Sequence, residues 1–151
     1  MIDFSFDATL RARVATYTGR VDDRELLETY TALLTAADYD TTLNDLVDLT
    51  SIENLEVSSD ALRELVRVFQ PIDPYLSGRR RAIVAPSDSV YGMARMYEIL
   101  RSDSPEEIRV FRSLDAARDW LAAAVETKRW FAGTPGRVRP VGANADGPRR
   151  D

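Results

Sequence analysis

The segment Leu46-Val47-Asp48-Leu49-Thr50-Ser51-Ile52-Glu53-Asn54-Leu55-Glu56-Val57-Ser58-Ser59-Asp60 decides how this chain folds. It reads as a buried strand, a short acidic loop, and a serine pair at the mouth of a helix. Leu46, Val47 and Leu49 crowd a run over Leu43 to Leu49 with the density of a strand covered on both faces. Ser58 stands in the helix-capping position, and Val57 and Leu62 are spaced as a hydrophobic staple. Asp60 falls in the first turn, where a carboxylate favours the helix dipole. Leu62, Leu65, Val66 and Phe69 share the apolar face, and Pro71 stops the helix by disfavouring helical geometry in the residue before it.

On the amino-terminal side, Ile2 to Phe6 and Arg11 to Thr18 alternate apolar with polar residues across a short link, which predicts an antiparallel hairpin. After Gly19, residues Leu26, Leu27, Tyr30, Leu33, Leu34 and Ala37 form a stripe of helical period. Asp22 can cap that helix, Glu25 completes a box-like arrangement, and Val21 can staple to Leu26. On the carboxyl side, Arg81 to Ala85 is a short strand stopped by Pro86. A helix starts near Ser87-Asp88, with Met93, Met96, Tyr97 and Leu100 inward. Glu107 to Arg112 is the last strand, and Ser113 caps a helix burying Leu114, Ala117, Trp120, Leu121 and Ala124. The order β-β-α-β-α-β-α-β-α predicts one α/β domain with a mixed, mostly parallel five-stranded sheet and crossover helices.

At 151 residues and 44% hydrophobic composition, the chain suits one such domain. Nothing near Met1 resembles a signal peptide and no apolar run approaches a membrane span, so a cytoplasmic protein is the expectation. The sequence contains no cysteine and no histidine. That excludes disulfides, thiol nucleophiles, histidine-based triads and zinc sites of the usual ligands. No calcium-loop or phosphate-cradle spacing is present, so no cofactor, no metal and no catalysis are expected. From Thr127 onward, six basic residues face two acidic ones, a net +4, which leaves −9 on the rest of a chain whose formal charge is −5. Residues 127–151 are also rich in Gly and Pro and read as a flexible basic tail on a domain spanning 1–126. No nucleic-acid partner is expected.

This order of elements, the segment from Leu46 to Leu65 and the closing Val110-Phe111-Arg112-Ser113-Leu114-Asp115-Ala116-Ala117-Arg118-Asp119-Trp120-Leu121 together resemble the STAS superfamily. The nearer likeness is to its small bacterial SpoIIAA-like branch, which is also compared with lipid-binding SEC14-type domains. The resemblance implies a non-catalytic regulatory domain working through a protein partner or self-association. It also implies a phosphoacceptor at the start of the second helix, which by position is Ser58 or Ser59. The sequence departs from that pattern where Asp60 replaces a glycine and where Glu56 is displaced by Val57. Structural capping by Ser58 is the competing account.

Two further places could hold a ligand. Ser87, Ser89, Tyr91 and Gly92 lie where a strand ends and a helix begins, a position that suits an anion, although Asp88 opposes one. Gly92 inside a helix points to close backbone packing or an approaching ligand. The second place is apolar: Val68, Phe69, Ile72, Tyr75 and Leu76, near Met93, Met96 and Tyr97, could wall a pocket for a small amphiphile or form an interface. The run Arg79-Arg80-Arg81 could steer an anionic head group to that pocket, or simply be a solvated strand edge.

Overall fold

The structure, a computed structural model, describes residues 1–132. A five-stranded sheet in the order β1-β2-β3-β4-β5 carries helices on both faces. Its strands are β1 (Ile2–Asp7), β2 (Ala12–Asp22), β3 (Asn44–Glu56), β4 (Arg80–Val84) and β5 (Glu107–Phe111). Only β1 runs antiparallel to its neighbour; β2 through β5 are mutually parallel. The mixed, mostly parallel α/β sheet is thus as expected. The helices are α1 (Asp23–Thr35), α2 (Ser59–Phe69), α3 (Asp88–Leu100) and α4 (Leu114–Ala132). The tail beyond Ala132 lies outside the described residues, and α4 itself runs past Thr127.

Two cores result, because parallel strands covered on both faces must be apolar on both. Alternate residues of β2, β3 and β4 (Ala15, Val47, Ile83) meet Leu26, Leu34, Leu65, Phe69 and Ala94 of α1, α2 and α3. The intervening residues Ala12, Leu46, Ala82 and Val84 meet Ala117 and Leu121 of α4.

Helix starts follow the local chemistry. The Asp22 carboxylate accepts a hydrogen bond from the Glu25 amide at 3.0 Å, with Val21 and Leu26 both buried. The Ser58 hydroxyl accepts from the Ala61 amide at 3.1 Å, with Val57 and Leu62 both buried. Ser113 receives the Ala116 amide at 3.2 Å.

One segment departs from its reading. Thr50 to Glu56, expected as an acidic loop, continues β3. Strand β2 likewise continues through Gly19 to Asp22, and Val21 and Asp22 pair with Leu55 and Glu56. The registers shift between Thr16 and Thr18 and between Gly19 and Arg20, and Gly19 has a φ of +63°. A residue without a Cβ tolerates that left-handed geometry, so the strand crosses its bulge without ending. Pairing of β3 with β4 stops at Asp48 and Val84. The rest of β3 is therefore a two-stranded ribbon with β2, and its polar residues Ser51, Glu53, Asn54 and Glu56 face solvent.

Candidate functional site

The α1–α3 face of the sheet holds a cavity of about 60 Å³. Its walls come from α1 (Leu26, Tyr30), from α2 (Leu62, Leu65, Phe69), from α3 (Met93, Ala94, Tyr97) and from the sheet, including Tyr17, Leu49, Leu55 and Ile83. One charged side chain lines it: Arg81, near the amino-terminal end of β4.

Arg81 belongs to a buried ionic cluster beneath the cavity. Arg13, Asp45 and Arg81 stand in register across β2, β3 and β4, all on the α1–α3 face. Arg79 and Glu106 lie just before β4 and β5, and Arg101 caps the end of α3. Asp45 accepts a hydrogen bond from Arg13 at 3.1 Å and is ion-paired with Arg79 at 2.7 Å and with Arg81 at 3.2 Å. Glu106 is paired with Arg79, with Arg81 at 3.4 Å and with Arg101 at 2.9 Å. Arg101 also reaches Asp73 at 2.8 Å, tying the Pro71–Leu76 turn to α3. Phe69 is flanked by two guanidiniums, Arg101 at 4.5 Å and Arg81 at 4.9 Å from its ring centre.

Four guanidiniums are thus matched by three carboxylates, of which the Asp73 side chain is partly exposed. Burial pushes the Glu106 carboxyl upward, but Arg81 and Arg79, the bond from Arg79 and then Arg101 outweigh it and hold Glu106 at about 2. Burial raises the phenols of Tyr17, Tyr30 and Tyr97, so all three remain neutral hydrogen-bond donors. The Tyr17 hydroxyl donates to that of Tyr30 at 3.1 Å. The Tyr97 hydroxyl, on a residue only 6% exposed, has no hydrogen-bond partner among the described residues.

The residues singled out in the sequence fall in different places. Phe69, Met93 and Tyr97 line the cavity. Leu76 is fully buried in the surrounding core, and Ile72 and Met96 pack against that core without reaching the cavity. Tyr75 does neither: it is 69% exposed, because the short 3-10 turn Asp73–Tyr75 after Pro71 turns Tyr75 outward while Leu76 turns in. At the start of α3, Ser87 and Ser89 are exposed and Tyr91 is half-buried. The Ser87 side chain makes no capping bond. Arg112 occupies that corner, donating to Asp88 at 2.7 Å and lying 4.1 Å from the Tyr91 ring centre.

A Cβ built on Gly92 would meet nothing within 4 Å, so close packing does not account for that glycine. The solvated-edge reading of Arg79-Arg80-Arg81 holds for none of the three. Strand β4 is interior to the sheet, Arg79 and Arg81 are buried in the cluster, and Arg80 lies over Trp120 on the α4 face. The cluster was absent from the sequence reading. A lone Asp45 within an apolar buried strand and two arginines flanking another are its visible traces, since a charge buried on a parallel strand needs a partner.

Ser58 does more than cap. Its hydroxyl donates to Asp23 Oδ2 at 2.6 Å and its amide to Oδ1 at 2.7 Å, which joins the starts of α1 and α2. Ser59, by contrast, is half-buried and opens α2.

The fold is an α/β fold of SpoIIAA-like type. One solved structure it resembles is that of an uncharacterized protein of the DUF3478 family with a SpoIIAA-like fold, from Shewanella loihica PV-4. The two share 19% identity with a TM-score of 0.53, covering 80% of this chain and 92% of the other. No protein-family model matches the chain, and no curated protein matches it. Among the described residues no helix is long and apolar enough to cross a membrane.

Proposed function

We propose that the domain is a non-catalytic binding module whose site is the cavity between the sheet and α1, α2 and α3. A small amphiphile would occupy it. The observation that carries this is an enclosed apolar void walled by the sheet and three helices, with Arg81 and Tyr97 among the residues around it. Ligand sites commonly combine a mostly apolar lining with a few convergent polar groups. The cavity is less than half the ~150 Å³ that admits benzene in a comparable apolar void, so a long acyl chain does not fit within it. A regulatory role fits the same geometry, because two of the wall helices, α1 and α2, are joined at their starts by the Ser58–Asp23 hydrogen bonds. Occupancy would then alter the surface offered to a protein partner.

Native mass spectrometry of freshly purified full-length protein tests this reading. A small-molecule adduct on the wild type, absent from a Leu62→Trp variant that fills the cavity, is the expected result. Bare protein in both preparations would count against it.

A further inference from the structure

We infer that the edge strand β1 pairs antiparallel with β1 of a second copy of this chain, about a two-fold axis at Phe4, so that two five-stranded sheets join into one. This contact is independent of the cavity and lies at the far side of β2.

The backbone presents the edge. The Thr18 amide donates to the Met1 carbonyl at 2.9 Å and the Met1 nitrogen to the Thr18 carbonyl at 2.8 Å, which makes Met1 and Thr18 a hydrogen-bonded pair. Such pairs alternate along an antiparallel ladder. Asp3, Ser5 and Asp7 therefore direct their backbone groups to β2, and those of Ile2, Phe4 and Phe6 point away from the sheet. The register runs from Ile2 to Asp7 without a shift, so no bulge turns the edge aside.

The side chains leave the edge open on one face. Sheet edges are commonly guarded by charge or proline. On β5, the opposite edge, exposed Glu107 and Arg109 supply that charge. On β1, Phe4 and Phe6 are 37% and 59% exposed on the α1 side, where the Phe4 ring meets Tyr30 edge-on at 6.0 Å. No other strand among the described residues exposes a large apolar side chain.

Charge selects the register. Outward backbone groups must meet outward groups, so for two or more of Ile2, Phe4 and Phe6 to pair, the axis falls at residue 3, 4 or 5. An axis at Asp3 sets Asp3 against the partner's Asp3 and leaves Phe6 unpaired. An axis at Ser5 sets Asp3 against the partner's Asp7 and leaves Ile2 unpaired. Like charges directly opposite are destabilising. An axis at Phe4 avoids both faults: Phe4 faces the partner's Phe4, Ile2 faces the partner's Phe6, and Asp3 faces the partner's Ser5, whose hydroxyl can donate to the carboxylate. The strand is thus complementary to itself, and the contact closes at two copies.

Sedimentation velocity of the full chain from micromolar to millimolar concentration, with wild type, Ser5→Asp and Ser5→Lys, tests this. Ser5 is exposed, so both variants are expected to fold. The wild type should form a dimer. Ser5→Asp should raise its dissociation constant about tenfold and Ser5→Lys should lower it about tenfold, because each dimer holds two Asp3–Ser5 pairs. A wild type that stays monomeric throughout overturns the inference. A dimer whose dissociation constant is unmoved by both variants, or moves the same way in both, overturns it as well.

Discussion

Asp23 and Ser58, thirty-five residues apart in sequence, are joined by two hydrogen bonds, from the Ser58 hydroxyl at 2.6 Å and from its amide at 2.7 Å. The same serine oxygen caps α2 by accepting from Ala61 at 3.1 Å. One side chain therefore finishes α2 and clasps it to α1, beside the apolar wall that Leu26 and Leu62 contribute to the cavity.

Removal of the clasp should be felt in stability. Ser58→Ala is expected to lose about 1–2 kcal/mol, the range for a helix cap, with Asp23→Ala similar and the pair non-additive. Ser59→Ala should stay within about 0.5 kcal/mol. Urea unfolding of the single and double variants measures this, and equal losses at Ser58 and Ser59 would contradict the clasp.

A phosphate on Ser58 would end its donation to Asp23 and set new negative charge against Asp23, with Asp60 two residues on. Modification there would loosen the α1–α2 junction, a different outcome from a phosphate that simply docks on a helix start. Ser58→Glu should accordingly be less stable than Ser58→Ala. A Ser58→Glu variant as stable as wild type would restore the simple docking view.

Acid should weaken the fold through Glu106. Its carboxyl sits at about 2 in the folded protein against an ordinary 4.5, so the folded state binds this proton less readily than the unfolded chain. The stabilisation is fully present above about pH 4.5 and is lost as pH falls toward about 2, on the order of 3 kcal/mol in all. Glu106→Gln should flatten this limb of the stability profile. It should also cost about 3–5 kcal/mol at neutral pH, because it strands the guanidiniums of Arg79, Arg81 and Arg101. A profile of unchanged slope in the variant would place the acid sensitivity elsewhere.

Gly92 offers a gain. It lies inside α3 with open space at its Cβ position. Gly92→Ala should therefore stabilise the protein by about 0.5–1 kcal/mol through helix propensity and a less disordered unfolded chain. A loss measured in thermal melts would mean that the glycine backbone meets something outside the chain.

Much of the architecture was legible because its signals are local. The Asp22 cap with its Val21–Leu26 staple and the Ser58 cap with its Val57–Leu62 staple each lie within a few residues, and they mark the helix starts directly. The β2–β3 ribbon was not legible. Glu53, Asn54 and Glu56 are polar because the ribbon is solvated, and their strand pairing depends on β2, some thirty residues away and interrupted by Gly19. The cavity was half legible: Phe69, Met93 and Tyr97 stood out as apolar residues at helical spacing, whereas Tyr75 and Leu76 are adjacent and chemically plausible but point opposite ways. The ionic floor was hidden by distance. Arg79 meets Glu106 across twenty-seven residues, and a run of three arginines carries no mark of burial until the strand order puts β4 inside the sheet.

The central claim, that the cavity beside Arg81 is the binding site, is tested most directly by methyl NMR of the methionines. The chain has three: Met93 in the cavity wall, Met96 packed against the core away from it, and the exposed Met1. Pressurisation with xenon, a small apolar probe, should shift the Met93 methyl signal saturably while Met1 and Met96 hold still. An unmoved Met93, or equal drift of all three signals, would contradict the account.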